Sequence, residues 1–179
     1  MHTGQRLLIE DLSAELLDPA AGPGVLPGGG LALQGTVRQV VVHADPDPEA
    51  TPYTLLAGAT GRGWPHVGRH FLVPRAPEVR EGRLVVQQLL SPEWVGLGVP
   101  PNFGRVHVVC AGLCPSGPQR EALGYLLQHL QDTHNLRAAA LTPHREIEPR
   151  TRCPGDVLAG YLHFLHDTRR PFGLRTAPR

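Results

Sequence analysis

Short valine-rich runs alternate with helix-forming segments along most of this chain, and this alternation restricts the fold. Runs typical of strands occupy 37–43, 69–73, 84–90, 105–110 and 138–141. Between the last two, Ser116 can cap a helix whose apolar stripe contains Leu123, Leu126, Leu127 and Leu130. A closing helix is expected over 156–167 and a less regular one over 51–61. The pattern predicts an α/β layer structure with functional residues at strand ends.

The first thirty residues follow a different pattern. Leucines at near-helical spacing predict a short amphipathic helix over 5–17, and a Gly- and Pro-rich loop follows over 18–30. We therefore assign 1–30 to an N-terminal extension and 31–179 to a single domain, because 179 residues suffice for one core of good size.

Composition argues against several function classes. A hydrophobic content of 41% with a net charge of +1 disfavours disorder and a broad nucleic-acid-binding surface. No apolar stretch is long enough to span a bilayer, and no apolar core of a secretory signal follows Met1. All 17 basic residues are arginine, so lysine is not among the candidate catalytic groups.

Three residues are candidate ligands for one metal ion. His43 ends the apolar run 40–42, and His144 and Cys153 follow about a hundred residues later, nine positions apart. Imidazole and thiolate are typical zinc ligands, and three protein ligands leave a catalytic Zn²⁺ its fourth position for water. Glu146 and Glu148 are candidates for carboxylates that orient these ligands. Two alternatives are a pair of hydrogen-bonded histidines with an inert thiol, and a structural zinc site closed by His107 or Asp45.

Five segments together resemble one known family: 40–43, 64–73, 106–112, 118–119 and 144–155. Their order and spacing are similar to those of the zinc-dependent N-acetylmuramoyl-L-alanine amidases of type 2, which include phage lysozyme-amidases and peptidoglycan recognition proteins. The resemblance implies a single domain with a central mixed β-sheet flanked by helices, and hydrolysis of the amide joining N-acetylmuramic acid to L-alanine. It also implies that zinc is held by His43, His144 and Cys153, that Thr151 stabilises the oxyanion, and that Asn102 matches an asparagine of the family.

Two of the chain's departures from the family pattern affect the proposed chemistry. Members usually have tyrosine where this chain has Arg69, and the family's cytoplasmic branch, an anhydro-muropeptide amidase, has glutamate where this chain has Val109. A guanidinium stays protonated, so Arg69 cannot be a base, but it can hold an oxyanion or a muropeptide carboxylate. His107 shares a strand face with Val109, and we predict that it is the general base. The alternative for His107 is a strand histidine bonded to a neighbour.

The sequence as a whole predicts a monomeric zinc amidase with peptidoglycan or muropeptides as substrate. Trp64 and Trp94 are candidates for lining a glycan groove, although a core position suits them equally. The lack of a signal peptide favours a cytoplasmic enzyme or a phage endolysin that is released to the cell wall. The alternative function is a non-catalytic peptidoglycan-binding module that retains the fold.

Overall fold

The computed structural model describes residues 6–16, 33–64, 66–95 and 103–168. Within these ranges the chain forms seven β-strands, five α-helices and one short 3-10 helix. The strands are β1 (Leu7–Asp11), β2 (Gln39–Asp45), β3 (Phe71–Val73), β4 (Val79–Arg80), β5 (Arg83–Gln88), β6 (Arg105–Ala111) and β7 (Leu141–Pro143). The α-helices are α1 (Ser13–Leu16), α2 (Pro52–Thr60), α3 (Gly117–His134), α4 (His144–Ile147) and α5 (Asp156–Thr168), and the 3-10 helix is Ala138–Ala140.

All seven strands belong to one mixed sheet, the architecture that the family resemblance implies. The strand order is β1-β5-β3-β6-β2-β7, with β4 paired to β5. Strand β6 runs parallel to both of its neighbours, β2 and β3, whereas β5 pairs antiparallel with β3 and β4. The two central strands β2 and β6 are buried on both faces, which explains why they appear in the sequence as continuous apolar runs.

The two faces of the sheet carry different sets of side chains. Even-numbered residues of β2 and β6 join a cluster with the apolar faces of α3 and α5: Val40, Val42, Val106, Val108 and Cys110. On the opposite face, Val109 and Ala111 pack with Leu72, Leu16 and partly buried leucines of α2. Because side chains alternate along a strand, His43 and His107 also belong to this second face. The candidate site therefore lies on the face opposite α3 and α5.

The predicted helix over 5–17 is wrong over Leu7–Asp11. These residues form β1, which pairs in parallel with β5, and the helical part is confined to α1. The leucine spacing suits a helix, but pairing with a strand more than seventy residues away overrides this local preference. The Gly- and Pro-rich loop over 18–30 lies outside the described residues.

The last predicted strand is displaced by three residues. The 3-10 helix takes up Ala138–Ala140, and β7 begins at Leu141, where it pairs with Val40 of β2. Alanine is a poor strand former, so strand geometry begins only where the larger Leu141 can pack. Among the described residues, no helix is long and apolar enough to cross a membrane.

Candidate metal centre

The sheet brings His43 and His144 to the same edge. Val42 of β2 lies opposite Pro143 of β7 in parallel register, and each is followed directly by a candidate ligand. His144 is the first residue of α4, so its side chain leaves the sheet where β7 ends. Neighbouring parallel strands end side by side, and this places the two imidazoles together, with ring centroids 4.4 Å apart.

Backbone contacts carry Cys153 back to the same edge. The amide of Arg145 donates to the Cys153 carbonyl at 2.8 Å, and the amide of Ala44 donates to the Cys153 thiol at 3.3 Å. The thiol sulfur then lies 3.9 Å from Nδ1 of His43. The loop after α4 is thereby fixed against the end of β2.

His43, His144 and Cys153 form a group that suits one metal ion. A ligand atom from each lies within 4.8 Å of the other two, and no further His, Cys, Asp or Glu of the described residues joins the group. Ligands of a tetrahedral zinc lie roughly 3–4 Å from one another, given bond lengths of about 2.0 Å to nitrogen and 2.3 Å to sulfur. The three ligand atoms are therefore spaced slightly more widely than around a bound zinc. A small side-chain movement would bring them to zinc-binding distances.

The chemistry of the group also suits a metal. Both ring nitrogens of His144 are buried without a hydrogen-bond partner in the part of the chain described, although Glu148 Oε2 approaches Nε2 at 3.4 Å. Buried polar atoms are seldom left unsatisfied, and a bound cation would satisfy one of these nitrogens. The residues present thus fit the zinc that the resemblance implies.

Burial keeps the two imidazoles neutral. It lowers the pKa of His43 well below the ordinary value, and the positive charge of Arg69 acts in the same direction. The pKa of His144 is also lowered, first by burial and then by Arg69. Burial raises the pKa of the Cys153 thiol, whereas the Ala44 amide and Arg69 oppose that rise. Neutral imidazole is the metal-binding form of histidine.

His107 lies on the side of the His43 ring that faces away from Cys153. Its side chain is fully buried, and its Nδ1 lies 3.0 Å from Nε2 of His43. Burial lowers the pKa of His107 to about 2. The ring has no contact with solvent, so it reaches the candidate site through the imidazole of His43. This geometry agrees with the alternative of a strand histidine bonded to a neighbour, here a candidate ligand, and the general-base role of His107 stays a prediction.

Three of the other predicted site residues, Arg69, Thr151 and Trp64, lie in different settings. The positive charge of Arg69 acts to lower the pKa values of His43, His144 and Cys153. Thr151 accepts a hydrogen bond from the Cys153 amide at 3.1 Å. Trp64 is half-buried under the guanidinium of Arg62, which lies 4.7 Å from its ring centre.

The backbone of Trp94 contacts a buried histidine. Trp94 is half-buried, and its carbonyl oxygen lies 2.9 Å from Nε2 of His70. Asn102 lies outside the described residues. One functional contact had no signal in the sequence, namely the Ala44 amide that binds Cys153, because a backbone group carries no residue preference.

Solved structures with the same fold are known. The amidase LysC from Clostridium intestinale URNW has a TM-score of 0.68 at 19% identity, over 88% of this chain and 97% of that chain. The endolysin of the Thermus scotoductus MAT2119 bacteriophage Ph2119 has a TM-score of 0.68 at 20% identity, over 89% and 99%. A mutant of Drosophila PGRP-LB in complex with tracheal cytotoxin has a TM-score of 0.62 at 20% identity, over 85% and 90%. No family model and no curated protein matches the sequence. The likeness shows that the chain has the amidase and peptidoglycan-recognition fold.

Proposed function

We propose that this chain is a zinc amidase that hydrolyses the bond between N-acetylmuramic acid and L-alanine in peptidoglycan or its soluble fragments. One observation carries the proposal: His43, His144 and Cys153 meet at one sheet edge, and no fourth ligand from the described residues completes the group. Three ligands are typical of a catalytic zinc, whereas a structural zinc is closed by four. The fold shared with LysC and the Ph2119 endolysin supports the same function.

A bound zinc would polarise the scissile carbonyl and make a water molecule acidic enough to attack it near neutral pH. The protein must supply hydrogen-bond donors for the negative charge that develops on the carbonyl oxygen. Thr151 suits this task because its oxygen already accepts from the Cys153 amide, which directs the hydroxyl proton elsewhere. We assign Thr151 to the oxyanion.

Arg69 supplies a permanent positive charge beside the group. Burial lowers its pKa, but a guanidinium remains protonated in proteins. We assign Arg69 to an anionic group of the substrate, either the oxyanion or a carboxylate of the peptide stem. Trp64 and Trp94 stay proposed contacts of the glycan, and Asn102 a proposed contact of the substrate.

The alternative is a non-catalytic peptidoglycan-binding module. Arg69 stands where family members usually have tyrosine, Val109 stands where the cytoplasmic branch has glutamate, and His107 is fully buried. A fold neighbour, PGRP-LB, has been solved in complex with tracheal cytotoxin, so the fold is compatible with ligand binding. In this alternative, the metal and Arg69 hold a muropeptide without cleaving it.

Digestion of peptidoglycan separates the two functions. Purified, zinc-loaded protein is incubated with intact sacculi and with soluble muropeptides, and new L-alanyl amino termini are counted with and without a chelator. The amidase proposal expects new termini that disappear with chelator and in Cys153→Ser, while Cys114→Ser, an exposed free thiol, cleaves normally. Saturable muropeptide binding without new termini would favour the binding module.

The preferred substrate indicates where the protein works. A monomeric endolysin released to the cell wall should cleave sacculi, whereas a cytoplasmic enzyme should prefer soluble muropeptides. We propose that it acts in one of these two settings, and the ratio of the two rates distinguishes them.

A further inference from the structure

The two ring nitrogens of His43 have different neighbours. Nδ1 faces the Cys153 sulfur at 3.9 Å, within the group of candidate ligands. Nε2 lies 3.0 Å from Nδ1 of His107. The two nitrogens point in different directions from the ring. Nδ1 is therefore the atom available to a metal, and Nε2 is the atom that is hydrogen-bonded to His107.

Sheet register explains why His107 meets His43. In the parallel pair of β2 and β6, His107 lies opposite Val41, and His43 lies opposite Val109. The two histidines are therefore diagonal neighbours on one face, a separation that long side chains can span. Their ring centroids are 5.3 Å apart.

A third histidine fixes the backbone beside His107. The His107 amide donates to Nδ1 of His70 at 2.9 Å, so that nitrogen carries no proton. The proton of His70 must then be on Nε2, which donates to the Trp94 carbonyl at 2.9 Å. The rings of His70 and His107 are nearly parallel, 10° apart in orientation. His107 is thus backed by a residue whose own tautomer is determined.

One proton must lie between His43 and His107, because two unprotonated nitrogens do not remain 3.0 Å apart without repulsion. If the proton is on His43 Nε2, its Nδ1 has a free lone pair for a metal. If it is on His107 Nδ1, neutral His43 carries its own proton on Nδ1 and cannot bind a metal there. The choice between these two tautomers decides whether His43 is a ligand.

We propose that His107 is a positioning residue that accepts the Nε2 proton of His43 and thereby holds His43 in its metal-binding tautomer. This inference rests on the metal-binding part of the proposed function. The proton of His107 is then on Nε2, which is buried and has no hydrogen-bond partner in the described part of the chain. An unpaired buried donor costs stability, and the contact between Nδ1 and His43 gives the residue a role that offsets this cost.

Two substitutions separate this role from a merely structural one. His107→Leu has similar volume and no acceptor, whereas His107→Asn keeps an acceptor oxygen close to the position of Nδ1. We expect His107→Leu to weaken zinc binding roughly 10- to 100-fold, as losses of such orienting partners do, and His107→Asn to restore most of that loss. Zinc affinity is measured by competition with a chromophoric chelator.

The matched control is His66→Leu. His66 is also a buried histidine of this region, and its Nδ1 accepts from the Gly68 amide instead of a ligand residue. Its loss should leave zinc affinity within about threefold of the wild-type value, a range set by the scatter expected of substitutions without contact to the ligands. Equal zinc affinity in wild type and His107→Leu, or equal losses in His107→Leu and His107→Asn, would overturn the inference.

Nitrogen-15 NMR gives a readout that does not depend on activity or on the variants folding. In wild-type protein, the metal-free His43 ring should carry its proton on Nε2, and cadmium-113 bound in place of zinc should couple to Nδ1. Coupling to Nε2 would overturn the inference. Tight metal binding without cleavage would refute the amidase and leave this inference intact, whereas a wild-type protein that binds no metal would refute both.

Discussion

Val42 and Pro143 lie opposite each other in the parallel pairing of β2 and β7, and the residue after each is a candidate zinc ligand. This pairing turns a sequence separation of about a hundred residues into a distance of 4.4 Å between the rings of His43 and His144. The third candidate, Cys153, is held at the same edge by two backbone amides: that of Arg145 donates to its carbonyl and that of Ala44 donates to its thiol. The candidate metal centre is therefore a consequence of strand register.

Zinc should stabilise the folded protein. A ligand that binds only the native state, at a concentration one hundred times its dissociation constant, adds about 2.7 kcal/mol to the free energy of unfolding. Chemical unfolding with and without zinc measures this difference. His144→Ala should lose most of it, whereas His163→Ala, an exposed histidine bonded to Glu146, should retain it. Equal stabilisation of the two variants would contradict the assignment of His144 as a ligand.

Glu148 should support zinc binding through His144. Its Oε2 lies 3.4 Å from His144 Nε2, and a carboxylate beside a ligand histidine orients the ring and increases its basicity. We expect Glu148→Gln to weaken zinc binding about tenfold. Glu146→Gln is the matched control because Glu146 contacts His163 on α5. If both variants bind zinc as tightly as wild type does, Glu148 has no such role.

Thr151 should affect turnover more than zinc binding. Loss of one hydrogen-bond donor to an oxyanion lowers kcat by about 10²–10³. We therefore expect Thr151→Val to lose activity on this scale with zinc still bound, and Thr151→Ser, which keeps the hydroxyl, to remain within tenfold of wild type. Activity is followed with soluble muropeptide, and zinc content is measured in the same samples. Equal turnover in all three proteins would exclude the oxyanion role.

The metal-free protein should lose stability between pH 7 and pH 5. Burial lowers the pKa of His66 to about 4, so the unfolded chain binds a proton in this range and the folded protein does not. The resulting stabilisation is complete above the unfolded pKa of about 6.5 and disappears as the pH falls towards 4.

For His66 alone the loss between pH 7 and pH 5 is about 2 kcal/mol. Urea unfolding at several pH values measures it, and His66→Asn, which cannot titrate but keeps an acceptor for the Gly68 amide, should show a shallower pH dependence. A slope as steep as that of wild type would mean that His66 is not held neutral.

Much of the architecture could be predicted from the sequence, because the central strands are buried on both faces and the long helix has both of its end signals. Ser116 accepts from the Gln119 amide at the start of α3, and Asn135 adopts the left-handed conformation after its end. The three candidate ligands could be chosen by residue type and spacing alone. Strand β1 could not be predicted, because its partner β5 is distant in the sequence and the leucines of β1 also fit helical spacing.

For a related reason, the contact of His107 with His43 could not be predicted from the sequence. Its position on the same strand face as Val109 is visible in the sequence, but its partner depends on which strand lies beside β6. Because β2 is that neighbour, His107 lies diagonal to His43. Its hydrogen bond to this candidate ligand follows from the register. The sequence identifies residues on one face of a strand, whereas their partners are a property of the sheet.

A titration of the metal-free protein with zinc, in the presence of peptidoglycan, tests the proposed zinc amidase most directly. Zinc bound by the protein and newly formed L-alanyl amino termini are measured in the same samples. We predict that the cleavage rate rises in proportion to bound zinc, saturates at one equivalent, and is absent in Cys153→Ser. One equivalent of bound zinc without any new termini, or cleavage that does not depend on zinc, would contradict it.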